Sequence, residues 1–156
     1  MSVNTKTVQG RRSVRFDTYD ALLADAETMA GQETRTLGNW SLGQNLKHVA
    51  MVLNSSIDGV GFKLPAPVRW MMTLLMKRRF LTQTLPPGFK TTEDFTPAPT
   101  STDEGLSALR DAIARVERKS TRAPHPAFGK LAKKDWDAFN LRHAETHLSF
   151  VVPEKK

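Results

Sequence analysis

Two segments of the chain open with the same device, and it constrains the fold more than any other feature. Ser41 and Gln44 form a Ser-x-x-Gln capping box, and Ser101 and Glu104 form a Ser-x-x-Glu box. In such a box each side chain satisfies a backbone donor that the start of a helix would otherwise leave unpaired. Each box is followed by an apolar stripe at helical spacing. The first is Leu42, Leu46, Val49, Leu53 and Ile57, closed by Gly59 and Gly61; the second is Leu106, Leu109, Ile113 and Val116.

Three further helices are predicted. Phe16, Tyr19, Leu22, Leu23, Ala26 and Met29 recur at helical spacing between Asp17, a good N-cap, and Gly31. A last helix is expected from about residue 133 to 152, stopped by Pro153. Residues 69–81 predict a short extra helix, apolar on most sides, with Lys77, Arg78 and Arg79 where the helix dipole favours cations. Residues 82–100 read as a long Pro- and Thr-rich loop, a length that in a compact domain usually accompanies a site. Phe89 and Phe95 are expected to pin it. Residues 1–15 read as a loose basic lead-in. No strand-like alternation of useful length and no internal repeat is present. The expected fold is all-α, one domain over 1–156 with four main helices and one extra.

At 156 residues one core can form without a disulfide or a structural metal. The absence of cysteine excludes disulfides, thiolate catalysis and cysteine-based zinc sites. A formal net charge of +7 is compatible with a polyanion partner, but the basic groups are scattered and acidic residues lie between them. No nucleic-acid motif accompanies them. No apolar run approaches the roughly 20 residues that span a bilayer. Arg11-Arg12 is not followed by an apolar stretch, as a secretory or twin-arginine signal requires. The expectation is a cytoplasmic protein with neither nucleic-acid nor membrane partners.

The last predicted helix carries the chemistry. Trp136, Phe139, Asn140, His143, His147 and Phe150 fall on one face. His143 and His147, four apart, have β-carbons about 6 Å from each other. Two imidazoles so placed can converge on one ion at about 2.0–2.1 Å, the zinc–nitrogen distance. Hydrogen bonds to Asn, Ser or backbone carbonyls would satisfy them equally well. His48 lies on the flank of its helix beside Asn45, Val52 and Ser55, where a solvent-facing or hydrogen-bonded histidine is the commoner case. His125, between Pro124 and Pro126, is a loop residue that could cap a helix or line a site mouth. The zincin pattern His-Glu-x-x-His is absent, because Glu145 stands one place too late. The Glu-x-x-His pattern of di-iron bundles is absent too, with Asn140 three before His143.

The order of several short motifs carries a resemblance. The run from Asn39 through Trp40-Ser41-Leu42-Gly43-Gln44 to His48 resembles the Trp-Ser-x-x-Gln-x-x-x-His segment of the DinB/YfiT-like metalloenzymes, and Arg142 to Leu148 resembles their His-x-x-x-His helix. Pro86-Pro87-Gly88-Phe89-Lys90-Thr91 and His125-Pro126-Ala127-Phe128-Gly129-Lys130-Leu131 are similar to one bacterial branch, catalogued as domain of unknown function 1569. The resemblance runs from about Arg12 to Phe150. It implies an up-down-down-up four-helix bundle holding a divalent metal, zinc or nickel, on His48, His143 and His147. It also implies a small-molecule substrate, with a low-molecular-weight thiol as one option, and either thiol S-transfer or hydrolysis. The alternative is a non-catalytic binding module that uses the bundle pocket or the basic face, with a degenerate metal site. Members of this branch often carry a further His where this chain has Thr146. Leu141 and Leu148 lie opposite the histidines, so the extra helix or a second subunit is expected to cover them, with a homodimer favoured.

Overall fold

The computed structural model describes residues 2–89 and 91–154. It contains α1 (Tyr19–Ala30), β1 (Thr34–Thr36), α2 (Leu42–Asp58), α3 (Ala66–Thr82), α4 (Thr102–Arg118), α5 (Lys133–Leu148) and β2 (Val151–Pro153), with a 3-10 turn at Glu93–Phe95. The fold is all-α and bundle-like, with one minor two-stranded sheet.

Both capping boxes form. The Gln44 N–H donates to Ser41 Oγ and the Ser41 N–H to Gln44 Oε1, each at 3.1 Å. Ser101 and Glu104 repeat the exchange. α1 starts one residue later than Asp17 suggests, because Thr18 Oγ1 accepts the Ala21 N–H. The predicted stripes pack together: Leu22 of α1, Leu46 and Val49 of α2, Leu109 and Val116 of α4, and Leu148 of α5 share one core.

Helices α2 and α4 meet most closely where Gly43 faces Gly105. A β-carbon at Gly43 would collide with the carbonyl oxygens of Thr100 and Ser101, and one at Gly105 with the carbonyl of Gly43. With one face of α2 fixed against α4, the flank bearing Asn45, His48 and Val52 is left to line a pocket beside α5.

The structure departs from the sequence expectations in four places. First, α5 ends at Leu148 rather than near residue 152. The chain then turns and Val151–Pro153 pairs antiparallel with Thr34–Thr36, Thr36 opposite Val151. β-Branched Val151 and Val152 suit a strand, and three residues are too few for alternation to show. Second, α3 is longer than expected, with Pro65 as its cap and Pro67 in its first turn, where a missing N–H costs nothing. No α3 side chain is fully buried. Met72, Met76 and Phe80 pack on a separate small cluster of Phe128, Leu131 and Trp136, while Trp70, Met71, Leu74 and Leu75 are exposed. Third, Leu141 and Leu148 are covered by the chain's own main core, not by α3. Fourth, Phe89 does not pin the long loop, since its side chain is 68% exposed.

The N-terminal lead-in forms no helix, yet it is tied to the rest of the chain at Val3, whose N–H and carbonyl both bond the Asn39 side chain, and again from Arg11 onward. Arg12 makes a two-pronged ion pair with Asp25, both contacts at 2.8 Å, and its Nε–H donates to the Val151 carbonyl. Arg11 donates to Ser149 Oγ and lies over the Phe150 ring, 4.3 Å from its centre. Glu145 is the matching anchor inside. Fully buried, it pairs with Arg142 at 2.8 Å and accepts from the Phe16 N–H and the Thr84 hydroxyl at 2.8 and 2.6 Å. One carboxylate thereby fastens the lead-in and the start of the long loop to α5.

Candidate metal centre

The i, i+4 geometry of α5 sets His143 one turn from His147, and the packing of α2 brings His48 up to both. The ring centres are 4.6 Å apart for His143 and His147, 4.4 Å for His48 and His147, and 5.1 Å for His48 and His143. One nitrogen from each ring lies within 4.8 Å of the other two. The three histidines are therefore close enough to hold a metal ion.

Two of the three rings have their outward nitrogen held by an acceptor; His143 Nδ1 is buried and has no hydrogen-bond partner among the described residues. His48 Nδ1–H donates to the Phe95 carbonyl at 2.7 Å. This fixes the neutral tautomer that leaves the Nε2 lone pair free, since a ring N–H on one side dictates a lone pair on the other. Asn45 does the same for His147. Its Nδ2 donates to the carbonyls of Trp40 and Ser41 at 3.2 and 2.9 Å, so its Oδ1 is left to accept His147 Nδ1–H at 3.3 Å. His48 Nε2 and His143 Nε2 stand 3.3 Å apart. Two nitrogens each about 2.0–2.1 Å from a tetrahedral ion would be about 3.3–3.4 Å from each other. The spacing of this pair and the donor set both fit such an ion, and a nitrogen of His147 lies within 4.8 Å of the other two. A direct hydrogen bond would also account for the His48–His143 contact. It would leave the other nitrogen of His147 without a partner among the described residues.

Aromatic rings flank the cluster. Trp40 is stacked on His147 with 5.6 Å between centres, and Phe139 on His143 at 6.3 Å. Burial favours the uncharged imidazoles. It pushes His143 down to about 3, with the neighbouring His48 adding to the effect. It takes His147 well below the usual range, and His143, His48 and Arg11 add to it. It lowers His48 as well, against an opposing contribution from the Phe95 carbonyl. Neutral imidazole is the form a metal requires.

The cluster lies in the wall of a cavity of about 500 Å³ that also includes Trp40, Phe95, His125, Phe139 and Thr146. Of the sequence candidates, the structure brings together His48, His143 and His147 and places Asn45 and Ser55 beside them on the cavity wall. Asn140 does not line the cavity; its Nδ2 donates to the Tyr19 hydroxyl. Glu145 is committed to its anchoring role. Thr146, standing where the resemblance places another histidine, donates its hydroxyl to the Leu85 carbonyl at 2.7 Å and so fastens the long loop to α5. Sequence reasoning missed the stacking role of Trp40 and the acceptor role of the Phe95 carbonyl. For Trp40 the capping box right after it was a usable signal, because that box fixes where α2 begins. For a backbone carbonyl in an irregular loop there was none. His125, which the sequence left open, is buried in the cavity wall against Phe128, Trp136 and Phe139.

Among the described residues no helix is long and apolar enough to cross a membrane. No curated protein and no solved structure matches the chain. One family model does match, over residues 8–154. That span takes in all five helices and all four histidines, and the chain therefore belongs to the family described as Protein of unknown function (DUF1569).

Proposed function

We propose that His48, His143 and His147 bind one divalent ion, zinc or nickel, and that the protein is a metal-dependent enzyme acting on a small molecule held in the adjoining cavity. The observation that carries this reading is the arrangement of nitrogens: Nε2 atoms of His48 and His143 at 3.3 Å, with outward-facing Nδ1 atoms of His48 and His147 on carbonyl acceptors. The helix order and histidine positions also support reading the fold as a DinB-like up-down-down-up bundle. Three protein ligands are the catalytic pattern; structural zinc is closed by four. When bound, such an ion keeps its full charge and an open position, and can acidify a water or a thiol there. That supports hydrolysis or thiol S-transfer as the reaction class.

The chain's own residues supply orientation and exclusion of water. Asn45 and the Phe95 carbonyl hold two rings in place, and Trp40 and Phe139 wall the centre. A second reading, a binding module without turnover, is favoured by one observation: among the described residues the cavity is lined by no Asp or Glu that could act as a general base. The two readings separate in one experiment. Protein purified without a polyhistidine tag is analysed for metal, then assayed with a low-molecular-weight thiol and an aryl halide electrophile, and with an aryl ester. The enzyme reading expects about one equivalent of zinc or nickel and turnover that chelation abolishes. Metal without turnover of either substrate supports the binding module. Absence of metal, even after incubation with zinc and gel filtration, overturns the centre.

A further inference from the structure

The fourth histidine is built into the cavity by a different device. The backbone at His125 and Gly129 closes on itself: the His125 N–H donates to the Gly129 carbonyl at 2.7 Å and the Gly129 N–H to the His125 carbonyl at 2.8 Å. Gly129 has φ +69°, a conformation that residues with a β-carbon rarely adopt. Inside this tight loop the N–H groups of Ala127 and Phe128 both donate to His125 Nδ1, at 3.0 and 3.2 Å. Nδ1 is therefore an acceptor, and the proton of the neutral ring sits on Nε2. Among the described residues Nε2–H has no hydrogen-bond partner, although the side chain is only 6% exposed and lines the cavity. Phe128, Trp136 and Phe139 contact the ring on three sides, with centres 4.7–4.8 Å away, and prevent it from turning.

The rest of the lining is as informative. One residue in four of this chain is charged, yet no Asp, Glu, Lys or Arg is found among the described residues around the cavity. Its walls are aromatic rings, prolines, aliphatic side chains, and a few hydroxyl and amide groups. A charged group placed among these walls, away from the histidine cluster, would lose its hydration; the cations Lys63 and Arg69 line a smaller adjoining pocket that shares Val60, Phe62, Pro124 and His125 with the cavity. A ligand oxygen that accepts one hydrogen bond would meet a buried donor already fixed in position.

We infer that the cavity selects a molecule whose body is uncharged and largely apolar, and that His125 Nε2–H holds a carbonyl or similar acceptor on it. The His48, His143 and His147 cluster takes the reactive end. This names the substrate class for the proposed site and rests on that reading in taking the cavity as the substrate site, but it is tested without metal.

Three probes of one shape separate the contributions: 2-acetylnaphthalene, 2-isopropenylnaphthalene, in which CH₂ replaces the ketone oxygen, and naphthalene-2-sulfonate. Each is titrated into the full chain with chelator present. Binding is followed at the Trp136 indole N–H, which packs beside His125, and at the His125 ring nitrogens by long-range proton–nitrogen correlation. The ketone is expected to bind about 3- to 10-fold tighter than the hydrocarbon, the scale of one neutral hydrogen bond. The ketone alone should shift His125 Nε2, and the sulfonate should bind more weakly than either. His125→Phe, which keeps the ring packing, should equalise ketone and hydrocarbon. Equal affinity of the two in the wild type, a His125 spectrum with the proton on Nδ1, or a sulfonate that binds as well as the ketone overturns the inference. If His125→Phe fails to fold, the wild-type comparison and the tautomer still decide. If the ketone preference holds but zinc does not bind, this inference stands and the metal centre falls; the reverse result divides them the other way.

Discussion

The cavity contains two kinds of histidine, and their difference is set by which backbone and amide groups face them. At the cluster, His48 and His147 donate outward from Nδ1, to a carbonyl and to an amide oxygen, leaving a lone pair inside. In the wall, His125 accepts two backbone N–H groups at Nδ1, leaving a proton inside. Burial keeps both kinds neutral. The same side chain becomes a metal ligand in one place and a hydrogen-bond donor in the other. Identity and burial alone do not distinguish them; the second nitrogen of each ring does.

The largest expected effect breaks the comparison at the cluster. His143→Ala or His147→Ala should weaken zinc binding by more than the roughly 10- to 100-fold cost of losing an outer partner of a ligand. His48→Ala should do less, because the i, i+4 pair remains. His125→Ala should change zinc affinity by no more than about 2- to 3-fold, since its inward atom is a proton in the neutral ring. Competition against a chromophoric chelator measures all four.

Next comes the outer partner itself. Asn45→Leu removes the acceptor that holds His147 and should cost about 10- to 100-fold in zinc affinity, with the ketone preference at His125 retained. Equal loss of both would mean that the cluster and the wall are not independently built.

A smaller effect appears with pH in the metal-free protein. His125 is pushed from its ordinary value of 6.5 to about 4 by burial. Between those values the unfolded chain binds the proton and the folded chain does not, so stability falls as pH drops from about 6.5 towards 4. The cluster histidines, also lowered, extend the decline further into acid. Urea unfolding should therefore show less acid-dependent loss in His125→Phe than in the wild type. An unchanged pH dependence would mean that His125 is not held neutral by its surroundings.

The smallest expected effect is none. Removing metal with a chelator should leave the helical circular dichroism unchanged, because the core of Leu22, Leu46, Leu109 and Leu148 does not include the cluster. Zinc fingers behave oppositely and unfold without their metal.

What could be read from the sequence was local or periodic. Two capping boxes and three stripes gave α1, α2 and α4, and the i, i+4 pair placed His143 beside His147. What could not be read depends on distant residues. His48 is on the flank of its helix, and only its resemblance to a family pattern joined it to the pair. Glu145 is tied to Phe16 and Thr84, 129 and 61 residues away. The role of His125 depends on a loop closed by Gly129, with walls from α5. In α3 the apolar residues run around the helix, so no stripe indicated which side would face Phe128 and Trp136 and which would remain exposed. The strands were too short to register as alternation.

The central claim is that three histidines act as one divalent site. Calorimetric titration of zinc or nickel into untagged wild type and into the His143→Ala, His147→Ala double variant tests it most directly. The account predicts one saturable site in the wild type, at least 100-fold tighter than any binding in the double variant, the upper end of the roughly 10- to 100-fold scale of outer-partner losses. A wild type that binds neither ion more tightly than the double variant would contradict it.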